Sequence, residues 1–403
     1  MKQKKLMLLG GLRYLLPIIE EAHKLGAYVI TADYLPNNYA HSYSDEYCNV
    51  SIIDKDSVLR EAKRLNIDGI LSHAVDPGVV SAAYVAEQMG LPFQCSYKAA
   101  CILQDKHLFR KFLSENGFNC PNAKGYTKAE DVLNDIDYFN WPVIVKPVDS
   151  AGSKGVTKVD SPDHLLQAVE IALSESHSGI FIVEDFLEKQ GYSVGSESFV
   201  VDGKLLYNGF YDQFFDENAV NPYTPSAEVW PSCMLQKYQD EIKSELQRLF
   251  SLLGVTSGLF NVECRVCTNG KVYLMEVSPR GGGNRLAEML NYAADININE
   301  AETRKALGLP IHDMHEPNYK GHFAILVLHS EKTGIFQSVD IDSKFMKEHV
   351  IEKEIRLNKG GKVSSFSGAN AAIGTLFLNF DSRKELEDAL SKTKSWMRIN
   401  VLN

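Results

Sequence analysis

The stretch Leu259-Phe260-Asn261-Val262-Glu263-Cys264-Arg265-Val266-Cys267-Thr268-Asn269-Gly270-Lys271-Val272-Tyr273-Leu274-Met275-Glu276-Val277-Ser278 decides how this chain is read. Two strand-like runs, Leu259 to Val266 and Val272 to Val277, flank Asn269-Gly270, the dipeptide that most strongly signals a tight hairpin. A two-residue loop sets Thr268 opposite Lys271, and with it Arg265 opposite Leu274, Glu263 opposite Glu276 and Asn261 opposite Ser278. Because side chains alternate along a strand, Asn261, Glu263, Arg265, Leu274, Glu276 and Ser278 share one largely polar face. Phe260, Val262, Cys264, Val266, Tyr273, Met275 and Val277 form the apolar one. Directly opposed carboxylates repel, and a divalent cation between them removes that cost. Two other readings stay open at this point. The acids lie on a solvated sheet face with Arg265 softening their repulsion, or a three-residue loop slips the register and undoes the pairing.

Around this hairpin lies a chain of 403 residues, room for about two or three domains. Hydrophobic residues make up 44% and charged residues 23%, the balance of a globular protein, which excludes disordered and collagen-like architectures. The net charge of −10 repels phosphate backbones and argues against nucleic acid as a partner, while leaving room for a local basic pocket. No apolar run approaches the ~20 residues needed to cross a bilayer. The opening Leu6-Met7-Leu8-Leu9 ends at Gly10 and Arg13, short of the ~7–15 apolar residues of a signal core. Seven cysteines without regular spacing do not form a disulfide framework. A cytoplasmic protein is expected.

The first hundred residues alternate strand and helix: strand Leu6 to Leu9, helix Leu15 to Leu25, strand Tyr28 to Asp33, helix 56–66, strand Ile67 to Ser72, helix Val79 to Met89. That alternation implies βαβ units and a parallel sheet, whose ligands sit at the carboxyl ends of the strands, here near Gly10-Gly11 and Asp33. A helix from Ala99 to Asn116 and a second to about Phe139 follow. Short strands then dominate from Trp141. After Gly308-Leu309-Pro310 come strands at Phe323 to Leu328, 351–357 and 371–380, and a last helix from Ser382 to Met397.

Two further segments carry chemistry. Trp141-Pro142-Val143-Ile144-Val145-Lys146-Pro147 is a buried strand ending in a lysine. It leads through Asp149-Ser150-Ala151-Gly152-Ser153-Lys154-Gly155 to a strand at Val156 to Val159. Glycines and small hydroxyls let backbone N–H groups approach phosphate oxygens, and Lys154 adds charge. No G-x-x-x-x-G-K-[ST] occurs, so this is not a Walker A loop. The strand Ile180-Phe181-Ile182-Val183 runs into Glu184-Asp185-Phe186-Leu187, a strand end suited to an adenine edge, and Glu197 offers a carboxylate for ribose hydroxyls.

Together these elements resemble the ATP-grasp superfamily of carboxylate–amine and carboxylate–thiol ligases, which includes biotin carboxylase, carbamoyl phosphate synthetase and the L-amino acid ligases. The carrying residues are Gln104-Asp105-Lys106 with Arg110, Pro142 to Pro147, Ser150 to Val156, Val183 to Leu187, Asn261-Val262-Glu263, and Met275-Glu276-Val277-Ser278-Pro279-Arg280. The resemblance covers nearly the whole chain. It implies a mixed α/β and α+β architecture, the ATP-grasp fold. A Rossmann-like pre-ATP-grasp domain would span 1–95, an ATP-binding domain 96–310 (lid subdomain about 121–190), and a small C-terminal α+β domain 311–403. It implies that Lys106 and Lys146 meet ATP phosphates while Gly152, Ser153, Lys154 and Gly155 close over them. Glu184, Asp185, Phe186 and Leu187 would receive adenine, and Glu197 the ribose. Glu263, Glu276 and, more weakly, Ser278 (many relatives have Asn there) would hold Mg²⁺ or Mn²⁺. Arg280 and Lys154 would be the catalytic cations. Gly281 and Gly282 expose N–H groups before a helix at roughly 285–293, an anion cradle for the substrate carboxylate with Arg280 and Arg285 as clamps.

The implied activity is ATP-dependent ligation of a small-molecule carboxylate to an amine or thiol through an acyl phosphate, releasing ADP and phosphate. A homodimer is expected only by family likeness. The competing classes are a nucleotide-dependent oxidoreductase using the N-terminal βαβ domain and a non-catalytic ATP-binding protein. Gly10-Gly11-Leu12-Arg13-Tyr14-Leu15 lacks the G-x-G-x-x-G spacing that the first requires. Gly191-Tyr192-Ser193-Val194-Gly195 spells a nucleophile elbow but precedes a strand instead of a helix. Cys264 and Cys267 are three apart on a strand and point to opposite faces. His312-Asp313-Met314-His315 sits in a connection without a second ligand pair.

Overall fold

The computed structural model describes residues 3–150 and 154–402. The chain divides into two compact units, one of Met1–Cys120, Ser196–Gly209 and Leu235–Pro317, the other of Pro121–Gly195, Phe210–Met234 and Asn318–Asn403. These limits differ from the expected boundaries near 95 and 310. Part of the reason is that Ala306 and Leu307 share an apolar core with Leu6, Leu8, Ile18 and Leu71.

The first unit opens with a four-stranded parallel sheet in the order Glu46–Asn49, Tyr28–Asp33, Lys5–Leu9, Gly69–Leu71. Both faces are covered, as parallel sheets require: Met7 and Leu9 enter one core and Leu6 and Leu8 the other. Helices Leu16–Lys24, Lys55–Leu65 and Asp76–Met89 make the crossovers. The middle one starts where Asp54 accepts from the Ser57 N–H and stops at left-handed Asn66. The helix expected from Ala99 to Asn116 is two helices, Tyr97–Gln104 and Lys106–Glu115. Asp105 breaks it: its backbone is extended and its side chain accepts the Leu108 N–H at 2.8 Å, capping the second helix.

The same unit holds the hairpin strands Gly258–Val266 and Val272–Ser278, beside the strand Ser193–Val201 from its residue 196 onward. Helices Gln236–Leu252, Leu286–Ala294 and Ile298–Ala306 complete it.

The second unit contains an antiparallel sheet ordered Ala123–Tyr126, Phe181–Asp185, Val143–Pro147, Thr157–Val159, over a core with helix Leu165–Ser174. It also carries the strands Pro225–Trp230, His322–Leu328, Gly374–Phe380 and Val350–Ile355 in sheet order. A three-stranded sheet of Lys362–Val363, Gly334–Ile341 and Met397–Leu402 follows. The last helix is shorter than expected. It ends as Arg383–Ser391 and Thr393–Trp396, and Met397 begins a strand, with Trp396 stacked 3.8 Å from Phe345.

Candidate functional site

The hairpin reaches its carboxylate pair by a route the sequence does not announce. Its loop has three residues, not two. Cys267 N–H donates to Lys271 O at 3.0 Å, Gly270 N–H donates to Cys267 O at 2.8 Å, and Gly270 sits at φ 76°. That is a turn closed by a glycine in the left-handed region. The register next to the turn is therefore slipped: Val266 faces Val272, Arg265 faces Tyr273 and Cys264 faces Leu274. The expected pairs Thr268–Lys271 and Arg265–Leu274 do not form. Between Glu263 and Cys264 the ladder shifts again, because Met275 is an extra residue on the second strand, a β-bulge. The two one-residue displacements cancel. Beyond the bulge Glu263 faces Glu276 and Asn261 faces Ser278.

Glu263 is exposed and Glu276 half-buried. Lys106, the first residue of the helix that Asp105 caps, brings its Nζ to 3.9 Å from Glu276 Oε2. Among the described residues no group of three or more His, Cys, Asp or Glu side chains is arranged to hold a metal. Two opposed carboxylates next to a lysine suit Mg²⁺, which binds through one or two carboxylates and completes its shell with phosphate oxygens and water.

Ser278 and Arg280 follow on the same strand end. Ser278 is fully buried. Its Oγ accepts from Gln104 Nε2 at 2.6 Å and donates to Asp76 Oδ1 at 3.1 Å. The Arg280 guanidinium donates from Nε and Nη2 to the two Asp76 oxygens, both at 2.8 Å, and from Nη1 to Gly281 O at 3.0 Å. Such a two-point grip on a buried arginine is among the stronger polar contacts a protein makes.

Glu197 does not present its carboxylate for a ribose. It is fully buried and accepts from Asn261 Nδ2 at 2.7 Å and from Gly282 N–H at 3.1 and 3.2 Å to its two oxygens. Burial pushes its carboxyl up to about 7, against the opposing pull of those hydrogen bonds and of Arg280. The Gly282 N–H expected to cradle a substrate anion is thus already engaged by an internal carboxylate. A Cβ on Gly282 would stand 2.7 Å from Glu197 Oε1, and one on Gly281 would stand 2.3 Å from His73 Cε1. His73 is buried with no hydrogen-bond partner at Nδ1, and burial with Arg280 and Lys305 nearby lowers its imidazole to about 3. Arg285 caps helix Leu286–Ala294 at φ 66° and pairs through Nε with Glu288 Oε1 at 2.9 Å.

In the second unit, Lys146 and Glu184 form an ion pair, both nearly buried, on adjacent antiparallel strands. Asp185 accepts from Asn140 N–H at 2.9 Å and from the amides of Asn140 and Asn122 at 2.8 and 3.0 Å. Phe186 N–H donates to Pro142 O at 2.9 Å, and Leu187 is half-buried beside it. Lys154 is exposed and Gly155 sits at φ 68°. Gly152 and Ser153 lie outside the described residues.

The signals set aside in the sequence are accounted for. Ser193 begins a buried strand, with no helix behind it. Both oxygens of Asp33 are used within its own loop, by Leu35 N–H at 3.1 Å and Asn38 Nδ2 at 2.8 Å. All seven cysteines are free. Asp76 and His73 were missed, although an acid-proline pair at the carboxyl end of a parallel strand is a place where ligands and their partners gather.

Residues 139–288 match the ATP-grasp domain. The chain is 27% identical over 313 residues to the formate-dependent phosphoribosylglycinamide formyltransferase of Synechococcus sp. (strain WH7803), covering 76% of this chain and 77% of that one. It is 26% identical over 235 residues to the C-terminal section of the carbamoyl phosphate synthase large chain of Aquifex aeolicus, covering 57% and 43%. The fold is similar to L-amino acid ligase from Bacillus licheniformis, with a TM-score of 0.82 and 20% identity over the full length of both chains. The chain thus contains an ATP-grasp domain and is an enzyme. It is, more particularly, an ADP-forming ligase joining a carboxylate to an amine, with ATP and Mg²⁺ as cofactors. Its substrates are small molecules, and no helix among the described residues is long and apolar enough to cross a membrane.

Proposed function

We propose that Glu263 and Glu276 hold the Mg²⁺ of this ligase, with Lys106 beside them on the phosphate side. The observation that carries this reading is the direct opposition of the two acids, restored by the Met275 bulge after the turn displaces it. The bound metal would neutralise phosphate charge as the γ-phosphoryl group leaves. Arg280, held in place before any ligand arrives, donates hydrogen bonds to that group and to the acyl phosphate. In the second unit Lys146 serves the phosphates, Lys154 and Gly155 cover them, and Glu184 to Leu187 receive adenine. Glu197 keeps the glycine segment in shape instead of meeting the nucleotide.

An amine displaces phosphate from the acyl phosphate to give an amide; a thiol would give a thioester. The net charge of −10 supports small molecules and not nucleic acid as partners. A homodimer acting in the cytoplasm is the expected setting. The test is ADP and phosphate release with Mg·ATP, screened across pools of amino acids and small carboxylic acids with amine or thiol acceptors. Release that needs both an acid and an acceptor supports the reading. Tight ATP binding without release in any pool counts against it.

A further inference from the structure

The loop after strand Gly69–Leu71 meets the segment after the metal strand at several points. Ala74 N–H donates to Gly281 O at 3.2 Å, the His73 ring fills the space a side chain at 281 would need, and Asp76 grips Arg280 and Ser278. Ala74 itself sits at φ 55°, a conformation an alanine adopts only when its surroundings impose it. Asp76 then opens helix Asp76–Met89 with Pro77 behind it, so its backbone is fixed on both sides.

We propose that Asp76 is a positioning residue of the ligase reaction: with the Ser278 hydroxyl and the Gln104 amide it holds the Arg280 guanidinium in one place beside the strand that carries Glu276. This rests on the reading of Arg280 as the group that meets the transferring phosphoryl. A free arginine samples many rotamers and loses that freedom on binding a ligand. Here the freedom is lost on folding. Nη2 lies within 2.8 Å of both Asp76 oxygens, while Nη1 donates once, to Gly281 O, and its second N–H is the one the proposal gives to a ligand. Ser278 gains a different role from the one its place in the motif suggests. Its single proton goes to Asp76 and one lone pair is taken by Gln104, so the hydroxyl orients the aspartate instead of binding the metal. Gln104 precedes the Asp105 cap of the Lys106 helix, so one helix junction supplies both the lysine near Glu276 and the amide that steadies Ser278.

The experiment compares wild type with Asp76→Ala, Asp76→Asn, Asp76→Glu and Ser278→Ala. It measures ADP release, Mg²⁺ half-saturation and Mg·ADP affinity, with thermal melts to identify any variant that fails to fold. Expected is a kcat loss of about 100-fold for Asp76→Ala, with Mg·ADP affinity changed less than about 3-fold. Asp76→Glu should recover part of the loss. Ser278→Ala should lower kcat without raising the Mg²⁺ half-saturation, and combining it with Asp76→Asn should add little. Unchanged kcat in Asp76→Ala overturns the proposal, and so does a raised Mg²⁺ requirement in Ser278→Ala. Should wild type turn over no substrate pool, the ligase reading fails by itself. The tie is then read from the Arg280 Nε–H NMR resonance: a slowly exchanging signal lost in both Asp76→Ala and Asp76→Asn supports it, and an unaltered signal overturns it.

Discussion

Glu263 and Glu276 stand directly opposite each other across a hairpin whose turn is one residue longer than its Asn-Gly dipeptide announces, because Met275 adds a compensating residue to the second strand. A fold that tolerates two facing carboxylates gives up a fraction of a kcal/mol or more without a cation. Glu276→Gln should therefore leave the ligand-free melting temperature unchanged or slightly raised. It should lower Mg·ATP-dependent ADP release by roughly 100-fold or more and abolish the stabilisation that Mg·ATP gives wild type. Paired thermal melts and turnover assays read both effects, and wild-type turnover in the variant would end the metal assignment.

The Glu197 carboxyl provides a pH signature. Burial raises it from 4.5 to about 7, so between those values the folded protein binds a proton that the unfolded chain has released. Stability from this group is fully present below about 4.5 and is lost as pH rises through about 7, with a total of about 3 kcal/mol. Glu197→Gln mimics the protonated acid. Its melting temperature relative to wild type should climb from pH 5 to pH 8, and a difference that stays flat across that range would contradict the assignment.

Lys146 and Glu184 are 11% and 3% exposed at their side chains, so removing one strands the other. Glu184→Ala should cost about 3–5 kcal/mol in denaturant unfolding. Replacing both, as Lys146→Met with Glu184→Leu, should recover much of that stability and still fail to bind Mg·ADP. Recovery of nucleotide affinity in the double variant would remove Lys146 from the phosphate site.

At Gly281 the test is steric. An added Cβ would collide with His73 at 2.3 Å, closer than real side chains approach, so the loop carrying Arg280 must shift. Gly281→Ala should lower turnover about tenfold or more and reduce the melting temperature. His73→Ala in the same protein should restore part of both, since it removes the obstructing ring. A double variant no better than the single one would place the damage elsewhere.

Much of the architecture was legible because it follows from apolar runs. The strands Lys5–Leu9 and Tyr28–Asp33 and their helices announce themselves by period and by glycine stops. The edge strands Glu46–Asn49 and Ala123–Tyr126 did not, since short, half-polar segments carry little periodicity. Asp105 was unreadable as a break because it interrupts a helical pattern only through its capping bond. The opposed acids were found through a register that holds only in part, since nothing in the identity of Met275 marks a bulge. Asp76 and Arg280 lie 204 residues apart in the chain, and no local pattern predicts that meeting.

The way the chain threads its two units constrains its birth on the ribosome. Each unit is stitched from three separate stretches, and the parallel sheet needs Ala306 and Leu307 to complete the cover of one of its faces. Those residues are synthesised some 300 positions later, so these strands must wait with that face covered only in part, by helix Leu16–Lys24 through Ile18, Ile19 and Ala22. Folding is therefore late and cooperative, dominated by distant pairings that close slowly. A cut after residue 317 keeps every stretch of the first unit but only part of the second, and a cut after 120 does the reverse, so no single cut yields both units intact.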